Sequence, residues 1–207
     1  MTYSPQTLLS INSKCGCSID LPIKGHCRPT PNCTHDCYAR TGRQSLPEAR
    51  KKHLFVSNYL RGKNLTTLIH ECKSHTSVRL NGSGDLLPTH VDNLIRLAKA
   101  CPHTQFWGMT RKPEIATTIN GKCPNLHLLV TVDASSPAST WKYQGKMCYG
   151  PKRPGDIVPK DDDRIVTVFP RHFAGRVVNG VTKHPKDCKA VWHEISGCID
   201  CERCWSW

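Results

Sequence analysis

Residues 126–135 read LHLLVTVDAS, apolar at nearly every position until Asp133-Ala134-Ser135 ends the run. A half-exposed strand alternates apolar and polar residues, whereas a strand covered on both faces does not. This stretch predicts a strand of a parallel sheet with elements packed on both sides. The same rhythm spreads outward from it. QFWGMT at 105–110 is a second strand, ending at Thr110-Arg111-Lys112-Pro113 and followed by a short helix over Glu114 to Ile119. Pro88 to Ala100 predicts a helix, with Val91, Leu94, Ile95 and Ala98 on one face and Thr89 as a candidate N-cap. Val78 and Leu80 flank Arg79 in a short strand, and Asn81-Gly82-Ser83-Gly84-Asp85 is its turn. Leu46 to about His75 is helical in pattern, divided at Gly62. Downstream, 135–144 is a short helical or irregular piece, and RIVTVFP at 164–170 is another buried strand.

Strand, turn and helix thus recur about four times. That order predicts an α/β protein: a compact incomplete (βα) barrel or an open, mainly parallel sheet. We expect a single domain, with an N-terminal cysteine loop over 15–42, an α/β core over 46–170 and a C-terminal cysteine cluster over 188–207. Within the loop, Pro29 and Pro31 disfavour helix. Parallel sheets bind ligands at the C-terminal ends of their strands. The polar turns fall at those ends: the Cys-Tyr-Ala loop, NGSGD, TRKP and VDASS.

Thirteen cysteines in 207 residues need an explanation, because a chain this long buries a core without covalent staples. An odd number cannot pair completely. The first residues show no basic segment leading into an apolar one, and no apolar run approaches the roughly 20 residues of a membrane span. A cytoplasmic setting is expected, where thiols stay reduced and clustered cysteines bind metal. The 29 Lys and Arg exceed the 16 Asp and Glu, giving a net charge of +13. That charge makes nucleic acid a conceivable partner, although the basic residues are scattered and could equally form a solvated surface. No phosphate-binding glycine loop or zinc-protease motif occurs.

Two cysteine groups stand out. Cys27, Cys33 and Cys37 have C-x5-C-x3-C spacing, with His26 and His35 among them. Three thiolates can hold a four-iron cluster with one iron left open, whereas a closed zinc site would recruit one of the histidines. Cys198, Cys201 and Cys204 repeat every third residue, as in bacterial ferredoxin runs, and Cys188 is the natural fourth ligand. Zinc remains an alternative there too. Cys72, Cys101, Cys123 and Cys148 are isolated and read as small hydrophobes. Cys15 and Cys17 either ligate or pack together on one strand face.

Several stretches carry a resemblance. Cys27, Cys33 and Cys37-Tyr38-Ala39 with Gly42 resemble the cysteine loop of the gene-product-88 family of phage and prophage proteins. Gly84-Asp85, Met109 to Glu114, Val130 to Asp133 and the closing CxxCxxCW resemble stretches of that family and of radical-SAM-like phage proteins. The spacing of the first triplet is longer than the usual radical SAM CxxxCxxC.

The resemblance implies two [4Fe-4S] clusters, one on Cys27, Cys33 and Cys37, the other on Cys188, Cys198, Cys201 and Cys204. It implies S-adenosylmethionine (SAM) at the first, near Gly82, Ser83, Gly84, Asp85, Thr110 and Asp133, with Asp85 pairing the SAM ammonium. The implied activity is reductive cleavage of SAM, with electrons from a flavodoxin or ferredoxin, in the cytoplasm of a phage host. A redox or sensor protein without SAM, an open-iron Lewis-acid enzyme, and a zinc-stabilised nucleic-acid-binding protein are the alternatives. The sequence names no substrate or oligomeric state.

Overall fold

In the computed structural model the chain is described over residues 5–12, 15–170, 172–173, 176–177, 179, 181–182, 184–188, 201, 204 and 206. Seven strands form one sheet in chain order: β1 (Ser10–Asn12), β2 (Gly16–Ile19), β3 (Ser77–Leu80), β4 (Gln105–Thr110), β5 (Leu126–Val132), β6 (Met147–Lys152) and β7 (Ile165–Pro170). β1 is antiparallel to β2, and every later pair is parallel. A small antiparallel pair, His172–Phe173 with Arg176–Val177, follows.

The helices are α1 (Pro31–His35), α2 (Pro47–Arg61), α3 (Thr66–Lys73), α4 (Val91–Ala100), α5 (Pro113–Ile119) and α6 (Ala138–Trp141). Parallel strands laid down in sequence, each joined by a right-handed crossover, place their helices on the same side. The core obeys this. Val56 and Leu60 of α2, Leu68 of α3, Leu94 and Leu97 of α4 and Ile115 of α5 share one apolar cluster with Val78, Phe106, Leu128, Val130, Tyr149 and Val168 of the strands. The pleat sends alternate residues to the other face. Trp107 joins a separate cluster there with Cys15. The expected open, mainly parallel sheet is therefore what the chain forms.

Four local expectations need correction. Pro31 starts a helix instead of preventing one: it is the first residue of α1, where a missing N–H costs nothing, and Thr30 caps it by accepting from Cys33 N at 3.1 Å. Thr89 does not cap α4. It lies inside a 3-10 turn, Pro88–His90, that leads into the helix. Residues 147–152 form a strand that the pattern did not announce, because Gly150 and Pro151 interrupt it. Cys15 and Cys17 do not share a face. Gly16 has φ +70°, so the chain turns between them: Cys15 packs on Trp107, while Cys17 packs against the helix-side core.

Candidate functional site

The loop after β2 carries Cys27, Cys33 and Cys37 across the C-terminal ends of β3, β4 and β5. Its anchors are specific. Thr30 Oγ1 donates to Asp133 Oδ2 at 2.6 Å, just beyond β5. Ser135 Oγ accepts from Asn32 N at 3.2 Å. Lys112, just beyond β4, is buried and its Nζ donates to the carbonyls of His26 and Leu86. Arg153 Nη2 reaches Asp36 at 2.9 Å.

All three cysteines line one cleft of about 1030 Å³, together with Lys24, Arg40, Gln44, Arg50 and His53. Their environments are coupled. Burial pushes the Cys27 thiol up to about 12, and the neighbouring charges of Asp85, Cys33 and Cys37 act in the same direction. Burial also raises Cys33, while the Arg111 guanidinium beside it pulls the other way. Both thiols therefore hold their protons at neutral pH, and any metal taken here must displace them.

Arg111 is fixed by the strand ends. Its Nη2 pairs with the fully buried Asp133 at 3.0 Å and donates to Gly150 O at 3.0 Å. Asp133 also accepts from Ser135 N and Oγ, each at 2.8 Å. A buried carboxylate with an arginine and three further donors is a satisfied one. It holds a positive charge against Cys33.

The NGSGD turn has another role in this geometry. Asp85 Oδ1 accepts from Leu86 N and Thr110 Oγ1, both at 2.7 Å, and Oδ2 accepts from Arg111 N at 3.2 Å. This carboxylate braces the β3 turn against the end of β4, and Thr110 is its partner. The space beside the glycines is filled by the chain itself. A Cβ on Gly82 would lie 2.4 Å from Asp20 Oδ1, and one on Gly84 would lie 2.3 Å from Leu21 O. Ser83 Oγ donates to Leu21 O at 3.3 Å. Gly82 and Gly84 thus let the β3 turn close onto the exit of β2.

Sequence reasoning missed Asp20 and His53. Asp20 directly follows β2, at a strand end, and its Oδ2 lies 3.9 Å from His53 Nε2 and accepts from Gln44 Nε2 at 3.2 Å. Behind the loop, His26 Nε2 and His90 Nε2 both meet Ser57 Oγ, at 2.8 and 3.2 Å. The backbone N–H of Leu87 donates to His90 Nδ1, which makes Nε2 the protonated nitrogen of that ring.

Of the second cysteine group, Cys198 lies outside the described residues, as does Trp205. Cys188, Cys201 and Cys204 are described and free of disulfides. Burial raises the Cys204 thiol, reinforced by Cys148, Cys188 and Cys201. Cys72, Cys101 and Cys123 are buried in the helix-side core, as hydrophobes would be.

Among the described residues, no three His, Cys, Asp or Glu side chains converge on a single metal ion, and no helix is long and apolar enough to cross a membrane. A family model described as Gene product 88 matches residues 4–206. No curated protein and no solved structure matches the chain.

Proposed function

This chain belongs to the gene product 88 family, and we propose that it is an iron–sulfur protein whose centre is a four-iron cluster on Cys27, Cys33 and Cys37. One observation carries the reading: three thiols from a single loop line one cleft at the C-terminal strand ends. Three thiolates suit a four-iron cluster with one iron open, whereas a closed zinc site would need a fourth ligand from a histidine.

Bound here, the cluster would supply an iron without a protein ligand, and SAM is the ligand we assign to it. The chain's own part is positioning and charge. Arg111, held by Asp133, and the buried Lys112 offset the negative charge of three thiolates. Asp85 and Thr110 fix the wall through which Arg111 reaches them. Cys27 gives up its proton on loading. The C-terminal cysteines would hold the second cluster, with a flavodoxin or ferredoxin as electron donor.

Anaerobic reconstitution with iron and sulfide tests this. Iron and sulfide should bind, and changing Cys27, Cys33 and Cys37 together to Ala should remove roughly four irons. SAM should alter the EPR spectrum of the reduced protein, and 5′-deoxyadenosine should form. Cluster signals indifferent to SAM would leave the redox or Lewis-acid alternative. Zinc in place of iron and sulfide would sink the reading in favour of the nucleic-acid-binding one.

A further inference from the structure

Strand register settles which cysteines can meet on the helix-free face of the sheet. Cys148 of β6 pairs with Thr167 of β7, and Tyr149 pairs with Val168. Tyr149 and Val168 both lie in the helix-side core. Cys148 and Thr167 therefore point the other way, since neighbours on a strand alternate. Arg79, Trp107 and Met109 share that face.

Residues 186–188 meet the edge of that sheet at one bridge. Val168 N donates to Lys186 O and Cys188 N donates to Val168 O, each at 2.7 Å, and Asp187 forms a parallel bridge with Val168. Asp187 thus takes the side of Val168, and Cys188, one residue on, takes the side of Cys148. One strand separates the two, a Cα spacing of about 10 Å that side chains reaching over one face can span. Cys204 packs against the pair Cys15 and Trp107 on this same face, as does Met109. After burial, the groups that perturb its thiol are Cys148, Cys188 and Cys201, with Arg79 opposing them.

We infer that Cys148 is an iron–sulfur ligand, completing with Cys188, Cys201 and Cys204 the four thiolates of the second cluster on the helix-free face, one cysteine to each iron. This rests on the iron–sulfur reading above and replaces Cys198 in the set that the C-x2-C-x2-C spacing suggested. Cys148 is completely buried in the strand, so it ties the C-terminal segment to the sheet. The hydroxyl of Thr131 lies 3.3 Å from its sulfur. Burial pushes its thiol up to about 11, while Thr131, Arg111 and Arg79 pull the other way, so a cluster bound here must displace its proton. Cys15 is engaged otherwise, accepting from Arg79 Nη1 at 3.2 Å. Arg111 faces Cys33 as well, so one guanidinium stands between the two groups.

The test is iron and sulfide analysis of the full-length protein, reconstituted anaerobically, as wild type and as Cys148→Ser, Cys148→Ala, Cys198→Ala and Cys123→Ala. Cys123 is a buried cysteine of the helix side and controls for disturbed packing. Wild type should carry roughly eight irons. Both Cys148 variants should lose half of them and keep the SAM-dependent EPR change of the cleft cluster. Cys198→Ala and Cys123→Ala should keep all. Full iron in Cys148→Ser overturns the inference, as does loss in Cys198→Ala alone or an equal loss in Cys123→Ala. In each of those cases the cleft cluster stands. A wild type without iron removes the cleft reading and this one together.

Discussion

The two cysteine groups offer the same ligand chemistry in opposite settings. Cys27, Cys33 and Cys37 lie on a loop and open onto a cleft edged by Lys24, Arg40 and Arg50. Cys148, Cys188 and Cys204 stand on a sheet face, beside Trp107 and Met109. Metal sites that leave a ligand position open suit chemistry, and closed ones suit structure or electron storage. The comparison teaches that the number of thiols matters less than what stands opposite them: solvent and cations at the mouth, an indole and two arginines behind it.

Arg111 is common to both groups, so the strongest way to break the distinction is to release it. Asp133 is fully buried and pairs with Arg111 at 3.0 Å while anchoring Thr30 of the cysteine loop. Removing one partner of a buried pair strands the other, at about 3–5 kcal/mol. Asp133→Ala should lose stability of that size in urea unfolding and should disturb iron binding at both groups. A variant that unfolds like wild type would show that the loop is held by other contacts.

Next in size is a change confined to the mouth. Gly84 has φ +73°, and a Cβ there would lie 2.3 Å from Leu21 O and 2.4 Å from Pro22 O. The left-handed backbone alone costs an alanine roughly 1–2 kcal/mol, and the carbonyls must also retreat. Gly84→Ala should therefore destabilise by about 2–4 kcal/mol. It should loosen the cysteine loop, read as faster alkylation of Cys27, Cys33 and Cys37 in the metal-free protein, with Cys148 still protected. Equal acceleration at Cys148 would mean that the two regions open as one.

Most of the sheet was legible. LHLLVTV, QFWGMT and IVTVFP announced β5, β4 and β7 because the sequence pattern is dense there, and Gly62 marked the end of α2 through its effect on helix propensity. What was lost depended on tertiary context. β6 was missed because Gly150 and Pro151 look like a turn until a partner strand is known. Cys148 is fully buried, as an isolated hydrophobe would be, but its neighbours on the sheet face come from register, which no local pattern encodes. Asp85 and Gly84 were noticed for the right reason, an unusual turn at a strand end. In the fold they pack against the chain itself, a closeness that the sequence pattern does not encode. Asp20 and His53 were missed because a buried carboxylate and a helical histidine are unremarkable until the fold sets them 3.9 Å apart, with His53 on the cleft.

The smallest effect separates the two groups by pH. His90 is completely buried and touches Ser57 and, through it, His26 beside Cys27. Burial is the main cause that lowers its pKa to about 4, and the nearby His26, Arg61 and Lys112 add to it. In the unfolded chain the ring titrates near its ordinary value of about 6.5. Between those two values the unfolded state binds a proton that the folded state refuses, so stability is whole above about pH 6.5 and is lost as pH falls towards 4. A shift of this size corresponds to about 3 kcal/mol at the acid limit, of which about 2 kcal/mol is already lost at pH 5. His90→Gln removes the titrating ring. Its melting temperature should therefore depend less steeply on pH between 7 and 5 than that of wild type, whatever the variant costs at neutral pH. The loss should begin at the mouth. On acidification, labelling of Cys27 should rise before the fluorescence of Trp107, on the helix-free face, changes. Parallel slopes in wild type and His90→Gln would place the acid sensitivity in other groups and remove this difference between mouth and sheet.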